Sequence, residues 1–286
     1  MRQTLKLAML AATAMLVAAP AASQQQDRPA AKRGGWHESL RAAIASDQRT
    51  AANVARDRYR HPYETLAFFG IEPDDTVVEI WPGGGWYTEI LAPYLANSGT
   101  YYGAAPAGRG TERFQQFIAG KPDAYGKAKM ATFPLLAAGG TAVPEGSADV
   151  VLTFRNVHNW MGSEGAQPVA PEAFRQIYRM LKPGGVLGIV DHRLPESADA
   201  ARERSSGYLK TSTVRRLAEE AGFRFVASSE VNANPKDTAD WADGVWTLPP
   251  VLRKGDVDRD KYLAIGESDR MTLKFVKPAT ANAIMR

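Results

Sequence analysis

The chain has 286 residues, 44% of them hydrophobic, with 25 Gly, 18 Pro and a formal net charge of +4, which suits one medium-sized globular domain with a full core. It contains no Cys, so disulfides, thiolate metal sites and Cys nucleophiles are excluded. No run of Lys and Arg with interleaved aromatics accompanies the modest positive charge, so nucleic acid is not an expected partner.

In chain order, residues 1–23 read as a signal peptide. They have a basic start (Arg2, Lys6), an apolar run from Leu7 to about Ala19, and a small-residue cleavage site. The run is shorter than the roughly 20 residues that span a bilayer. An exported protein, periplasmic or secreted, is therefore expected, with no stable membrane insertion after cleavage. Residues 24–35 are polar and rich in breakers, as in a flexible linker. Residues 36–70 predict an N-terminal helical lid, interrupted at Pro62 and closed at Gly70.

From residue 71 to 280 strands and helices alternate. The predicted strands are DTVVEIW, GTYYGAA, AKMATF, ADVVLTF, GVLGIVDH, FRFVASSEV and RMTLKFVKP, and the predicted helices are WYTEILAPYLA, GTERFQQFIAG, PEAFRQIYRMLK and TSTVRRLAEEAG. Such alternation implies an α/β domain with a mostly parallel sheet covered on both faces. The last two strands lack a strong helix between them. They can therefore pair antiparallel, since only a parallel pair requires a crossover. Residues 232–268 are too long for a turn and read as an insertion or flap.

The stretch VVEIWPGGGWYTEIL (77–91) closes a strand on an acid, crosses three glycines and continues as a helix. In open α/β sheets ligands sit at the carboxyl ends of the strands where strand order reverses. Glycines there permit close backbone approach at a helix start. Together with GSADVVLTFRNVHNW and FRQIYRMLKPGGVLGIVDHR, this stretch resembles the class I S-adenosylmethionine-dependent methyltransferases. Its Pro-Gly-Gly-Gly loop and Arg-Asn-x-His-Asn-Trp segment look like the exported "predicted methyltransferase" branch of that superfamily. The resemblance runs from about Arg56 to Pro278. It implies a Rossmann-like sheet of seven strands with an antiparallel C-terminal strand, RMTLKFV, inserted beside FRFVASSEV.

The resemblance also implies a site. Glu79 and the backbone of Gly83, Gly84 and Gly85 would face the methionine end of S-adenosyl-L-methionine. Asn156 and His158 would border the transferring methyl group, and Asp191, His192 and Arg193 the acceptor. Two positions depart from the superfamily pattern. Trp81 stands where the first glycine is usual; Pro82 should hold it extended, and its indole would cover part of the pocket. The acid expected at the end of the second strand, which would bind the ribose hydroxyls, is absent; Tyr101, Tyr102 and Gly103 stand there instead, and Tyr102 and Gly103 join Trp81 among the expected cofactor-facing residues. A dinucleotide also needs an acid about 20 residues past the glycines, and Ala105 lies there.

Other chemistry fits the same residues less well. GSEG at Gly162 lacks the spacing of a hydrolase nucleophile elbow. His158, His192 and Asp191 could ligate a metal, but no metal is the leading expectation. His158 either pins its loop or serves as a base for an acceptor O–H or N–H. Arg155 and Arg193 suit an anionic acceptor or a solvated surface. Arg56, Asp57 and Arg60 suit a lid or an exposed helix face. The expected function is methyl transfer from S-adenosyl-L-methionine to a small-molecule O or N acceptor. The alternative is an exported ligand-binding protein on a methyltransferase scaffold without methyl transfer. Sequence does not set the acceptor or the oligomeric state.

Overall fold

A computed structural model describes residues 30–136, 140–162 and 168–279. The expected signal peptide lies outside the described residues. The first helix, Ala30–Ile44, begins inside the stretch expected to be linker, because Ala30, Ala31, Lys32 and Arg33 are good helix formers that outweigh the two glycines following them.

The strands are β1 Thr76–Ile80, β2 Thr100–Ala105, β3 Lys129–Thr132, β4 Ala148–Phe154, β5 Leu181–Leu194, β6 Leu209–Lys210, β7 Arg224–Ser229 and β8 Arg270–Val276. In β1 every residue after Thr76 is buried, and β4 is nearly as covered. That is the pattern of parallel strands with both faces packed. Side chains alternate between faces, so Val78 and Ile80 enter one core with Phe174 and Ile177, while Val77 enters the other with Leu66, Phe69 and Ile90. Helix Ala170–Met180 covers the first face, burying Ala170, Ala173, Phe174 and Ile177 at the i, i+3, i+4, i+7 spacing of one helical stripe. It stops before the expected Lys182 because Pro183 disfavours helical backbone in the residue before it.

The order along the sheet is β3-β2-β1-β4-β5-β8-β7. β1 to β5 pair in parallel, and β8 runs antiparallel to both β5 and β7. The inserted antiparallel strand is therefore where the sequence places it. An eighth, two-residue strand, β6, pairs with the end of β5; it is too short to carry a periodic signal. Strand order reverses between β1 and β4, and their carboxyl ends open the crevice in which such sheets bind ligands. Two segments cover that edge. One is the helical run Ala51–Val54, Asp57–Arg60 and Pro62–Phe69; the other is the 232–268 insertion, with a 3₁₀ turn at Gly244–Thr247 and a helix at Arg259–Ile265. Among the described residues no helix is long and apolar enough to cross a membrane.

Candidate active site

The crevice holds a cavity of about 300 Å³. Its floor comes from the ends of β1, β4 and β5, one wall from Asn53, Arg56 and Arg60, and its roof from Val245, Trp246 and Pro249–Val251.

The chain leaves β1 through a loop with left-handed backbone at Trp81 (φ 52°), Gly83 (φ 59°) and Gly85 (φ 77°). Gly83 and Gly84 line the cavity. A Cβ on Gly84 would meet nothing within 4 Å, and one on Gly83 only the Trp81 carbonyl at 3.9 Å. Both therefore face open space that a ligand can enter. Gly85 differs: its N–H donates to Pro82 O at 3.0 Å, and a Cβ there would lie 2.3 Å from the Phe117 ring. Its missing side chain serves packing, not the cavity. Gly103 is similar, with Phe114 2.1 Å from a virtual Cβ. Tyr102 is half-buried against the core, under the Lys129 ammonium at 5.2 Å. Gly85, Tyr102 and Gly103 thus stand apart from the cavity expected to include them.

Trp81 is not extended as Pro82 suggested. Its backbone N–H continues the β1–β2 ladder to Ala104 O at 2.8 Å before the chain turns left-handed. The indole N–H donates to Phe133 O at 2.8 Å and the ring packs edge-on to Trp160 at 6.0 Å. These contacts offset the strain of positive φ in a bulky residue. They also place the indole at the ends of β2 and β3, where Trp81 still lines the cavity.

Glu79, at the end of β1, is buried and faces the cavity. Its Oε2 accepts hydrogen bonds from Tyr101 Oη at 2.5 Å and Thr88 Oγ1 at 3.0 Å. Burial pushes its carboxyl up to about 7, against those two hydrogen bonds and the Arg60 charge, which pull it down. Oε1 makes no hydrogen bond among the described residues. Asn156 joins the two strands of the switch point, its Nδ2 donating to Ile80 O at 2.9 Å and Thr153 Oγ1 at 3.3 Å.

On the β5 side, Asp191 is fully buried beneath the cavity. Its Oδ1 accepts from His158 Nδ1 at 2.8 Å and His192 N at 2.8 Å, and its Oδ2 from His158 N at 3.2 Å. This fixes the His158 tautomer with Nδ1 protonated, leaving Nε2 as an acceptor on the ring's far side. His192 hydrogen-bonds Ser268 Oγ through Nδ1 at 2.5 Å. Burial above all, with the Arg155, Arg270 and Arg60 charges adding to it, holds it well below the usual histidine range, so it is neutral. His158, Asp191 and His192 each place a ligand-type atom within 4.8 Å of the others. Both Asp191 oxygens already accept hydrogen bonds, so its observed role is to orient the ring.

The wall is strongly basic. Glu267 takes Arg56 Nε at 2.6 Å on one oxygen, and Arg60 Nε and Arg270 Nη1, each at 3.2 Å, on the other. Burial alone would raise the Glu267 carboxyl, but Arg60, Arg270 and Arg56 hold it down at about 2. Asp57, grouped with these arginines in the sequence, instead pairs with Arg49 at 2.7 Å. Arg155 lines the cavity. Arg193 does not: Asp269 at 2.8 Å and Glu230 at 2.8 Å engage its guanidinium, which removes it from the expected acceptor set. Glu267, Ser268, Asn53 and the roof residues were not singled out by sequence reasoning. Glu267 and Ser268 stand just before the last strand, beside β5 only because β8 inserts there, so the topology was the one signal that could have found them.

Residues 78–189 match a model described as a methyltransferase domain. A search of curated protein sequences gives no match. Among solved structures, the chain is similar to a SAM-dependent methyltransferase from Aquifex aeolicus at 15% identity and TM-score 0.50, covering 84% of this chain and 98% of that one. It is similar to the [4+2]-cyclase SpnF at 13% identity and TM-score 0.52, covering 86% and 93%. It is also similar to human N-acetylserotonin methyltransferase, solved with SAM, at 13% identity and TM-score 0.50, covering 85% and 56%. The cavity fits the methionine half of that cofactor: Gly83 and Gly84 leave space, and Glu79 offers a free oxygen. On the β2 side, where the sequence resemblance would put the ribose, Trp81 stands in the way. Residues 78–189 thus match a methyltransferase domain, and the fold is the one these SAM-dependent methyltransferases share.

Proposed function

We propose that the protein methylates an oxygen or nitrogen of a small-molecule acceptor, with His158 as the base. One observation carries this reading: His158, held by buried Asp191, lines the same cavity as the open glycines Gly83 and Gly84. When bound, S-adenosylmethionine supplies a methyl group on a sulfonium. The loop backbone at Gly83 and Gly84 would hold the methionine end, with Glu79 accepting from its donors. Asn156 keeps the β1 and β4 ends in register. Asp191 keeps the proton on His158 Nδ1, so Nε2 can take one from an acceptor O–H or N–H. The Trp246–Val251 roof restricts water. Alignment of nucleophile and methyl gains most from such fixed geometry.

Calorimetry with S-adenosylmethionine and S-adenosylhomocysteine tests the reading. Wild type should bind both, and Gly84→Val should lose binding while melting like wild type, because its Cβ enters empty cavity. No heat from wild type at millimolar ligand would refute it. A second reading, ligand binding without methyl transfer, is favoured by Trp81 closing the β2 side. It predicts no S-adenosylhomocysteine binding in wild type and a gain in Trp81→Gly. We further propose the exported, periplasmic branch of the superfamily, supported by the basic start and short apolar run of residues 1–23. N-terminal sequencing of envelope-extracted protein should start between about Ala21 and Gln24, and Met1 on most of the protein would contradict it.

A further inference from the structure

We propose that the molecule methylated here is an anion, carrying a carboxylate or phosphate group that docks on Arg155 and Arg60; this rests on the methyltransferase reading above. Three guanidinium groups, Arg56, Arg60 and Arg155, line the cavity, and among the described residues Glu267 is the one carboxylate paired with any of them. That carboxylate is also shared with Arg270 from behind. The other charged carboxylates are accounted for: Asp191 is bound to His158, and Glu79 sits among hydroxyls with its ionisation disfavoured by burial. The wall therefore carries a surplus of buried positive charge.

All three cavity arginines have donors waiting, Arg56 through its buried, unpartnered Nη2. Arg60 is only 3% exposed, and its Nη2 has no hydrogen-bond partner. The Arg155 guanidinium makes no hydrogen bond or ion pair among the described residues. Its backbone is left-handed, φ 62°, directly after β4, a conformation that costs a non-glycine residue stability and tends to persist where function needs it. Burial and the surrounding arginines push Arg155 down to about 10 and Arg60 to about 9, so both stay charged at neutral pH, Arg155 with no paired carboxylate among the described residues and Arg60 sharing Glu267 with two other arginines. An unpaired buried charge is costly, and a planar fork of donors suits a carboxylate or phosphate.

The cofactor cannot supply the missing charge overall. Its sulfonium and ammonium outweigh its single carboxylate, so its arrival adds positive charge to an already positive wall. A second molecule with one or two negative charges restores balance. Its anionic end on Arg155 leaves its other end free to reach His158, since both residues follow β4 and line the same cavity.

The test uses the full chain with inorganic phosphate and glutarate as anion probes, and S-adenosylhomocysteine as the cofactor probe. Wild type should bind at least one anion probe with millimolar affinity. Arg155→Gln should weaken it at least tenfold, yet leave S-adenosylhomocysteine binding within a few-fold. Arg155→Lys, which keeps the charge without the fork, should fall between, and melting curves establish that each variant folds. Should Arg155→Gln misfold, Arg56→Gln, at the more exposed rim of the wall, should weaken the same probe. If Arg155→Gln instead weakens S-adenosylhomocysteine tenfold, the guanidinium holds the cofactor's own carboxylate and the proposal is wrong. Absence of any anion binding overturns it too. Anion binding without S-adenosylhomocysteine binding in wild type would sink the methyltransferase reading alone and leave an anionic ligand for this wall.

Discussion

The two halves of the crevice differ in kind. On the β1–β2 side, Glu79 sits among Tyr101 and Thr88 hydroxyls, Trp81 closes the gap toward β3, and glycines give room to backbone. On the β4–β5–β8 side, Glu267 sits among three arginines, and His158 and His192 stand over buried Asp191. Both carboxylates are buried, yet one is raised to about 7 and the other held at about 2. Burial has the same sign at both; the difference comes from whether the partners are hydroxyls or cations. One side offers open shape, the other concentrated charge.

The largest expected effect breaks the charged side chemically. His158→Ala should lower methyl transfer by roughly 10²–10⁴-fold, with S-adenosylhomocysteine affinity, read by calorimetry, changing only a few-fold. A comparable loss of affinity would mean that the ring positions cofactor rather than acceptor. Next, Glu267→Ala strands Arg60 and Arg270 without their counter-charge. Removing one member of a buried ion pair costs about 3–5 kcal/mol, visible as a lower denaturation midpoint; an unchanged midpoint would show that water or anions already compensate the wall.

The two carboxylates should also pull stability in opposite directions with pH. Glu79 has a folded pKa above its unfolded value, so the folded state keeps a proton that the unfolded state releases. Its contribution is complete below about pH 4.5 and is lost as pH rises toward about 7, amounting to about 3 kcal/mol. Glu267 is depressed, so its contribution is present above about pH 4.5 and is lost as pH falls toward about 2. Glu79→Gln should flatten the fall in melting temperature between pH 4.5 and 7. The same slope in both proteins would contradict the raised Glu79.

The smallest effect separates neighbouring glycines. Gly85→Ala, with φ 77° and the Phe117 ring in the way, should cost about 1–3 kcal/mol. Gly84→Ala should fall within about 0.5 kcal/mol of wild type. Equal costs would show that the loop has no ligand-facing and core-facing sides.

The shaped side was the more legible in the sequence. The apolar run of β1, the acid at its end and the glycines after it are local signals, and the helix-free pair β7–β8 announced the inserted strand. What sequence reasoning missed is non-local. Gly85 and Gly103 read as ligand-facing because a glycine does not declare which neighbour it makes room for; Phe117 and Phe114 decide that from another helix. Arg193 read as an acceptor contact because its partners, Asp269 and Glu230, are far along the chain. The Glu267 cluster joins residues about 210 positions apart, assembled by the insertion of β8, and no window of sequence contains it.

On the proposed reading, the switch between β1 and β4 binds S-adenosylmethionine beside a proton-accepting, anion-binding wall. A crystal structure with S-adenosylhomocysteine tests it most directly. The homocysteine end is expected against Gly83 and Gly84 with Glu79 in contact, and the sulfur facing His158, with Arg155 left open to an anion. Ligand elsewhere on the protein, or a glycine loop empty at saturating ligand while the arginine wall holds an anion, would contradict it.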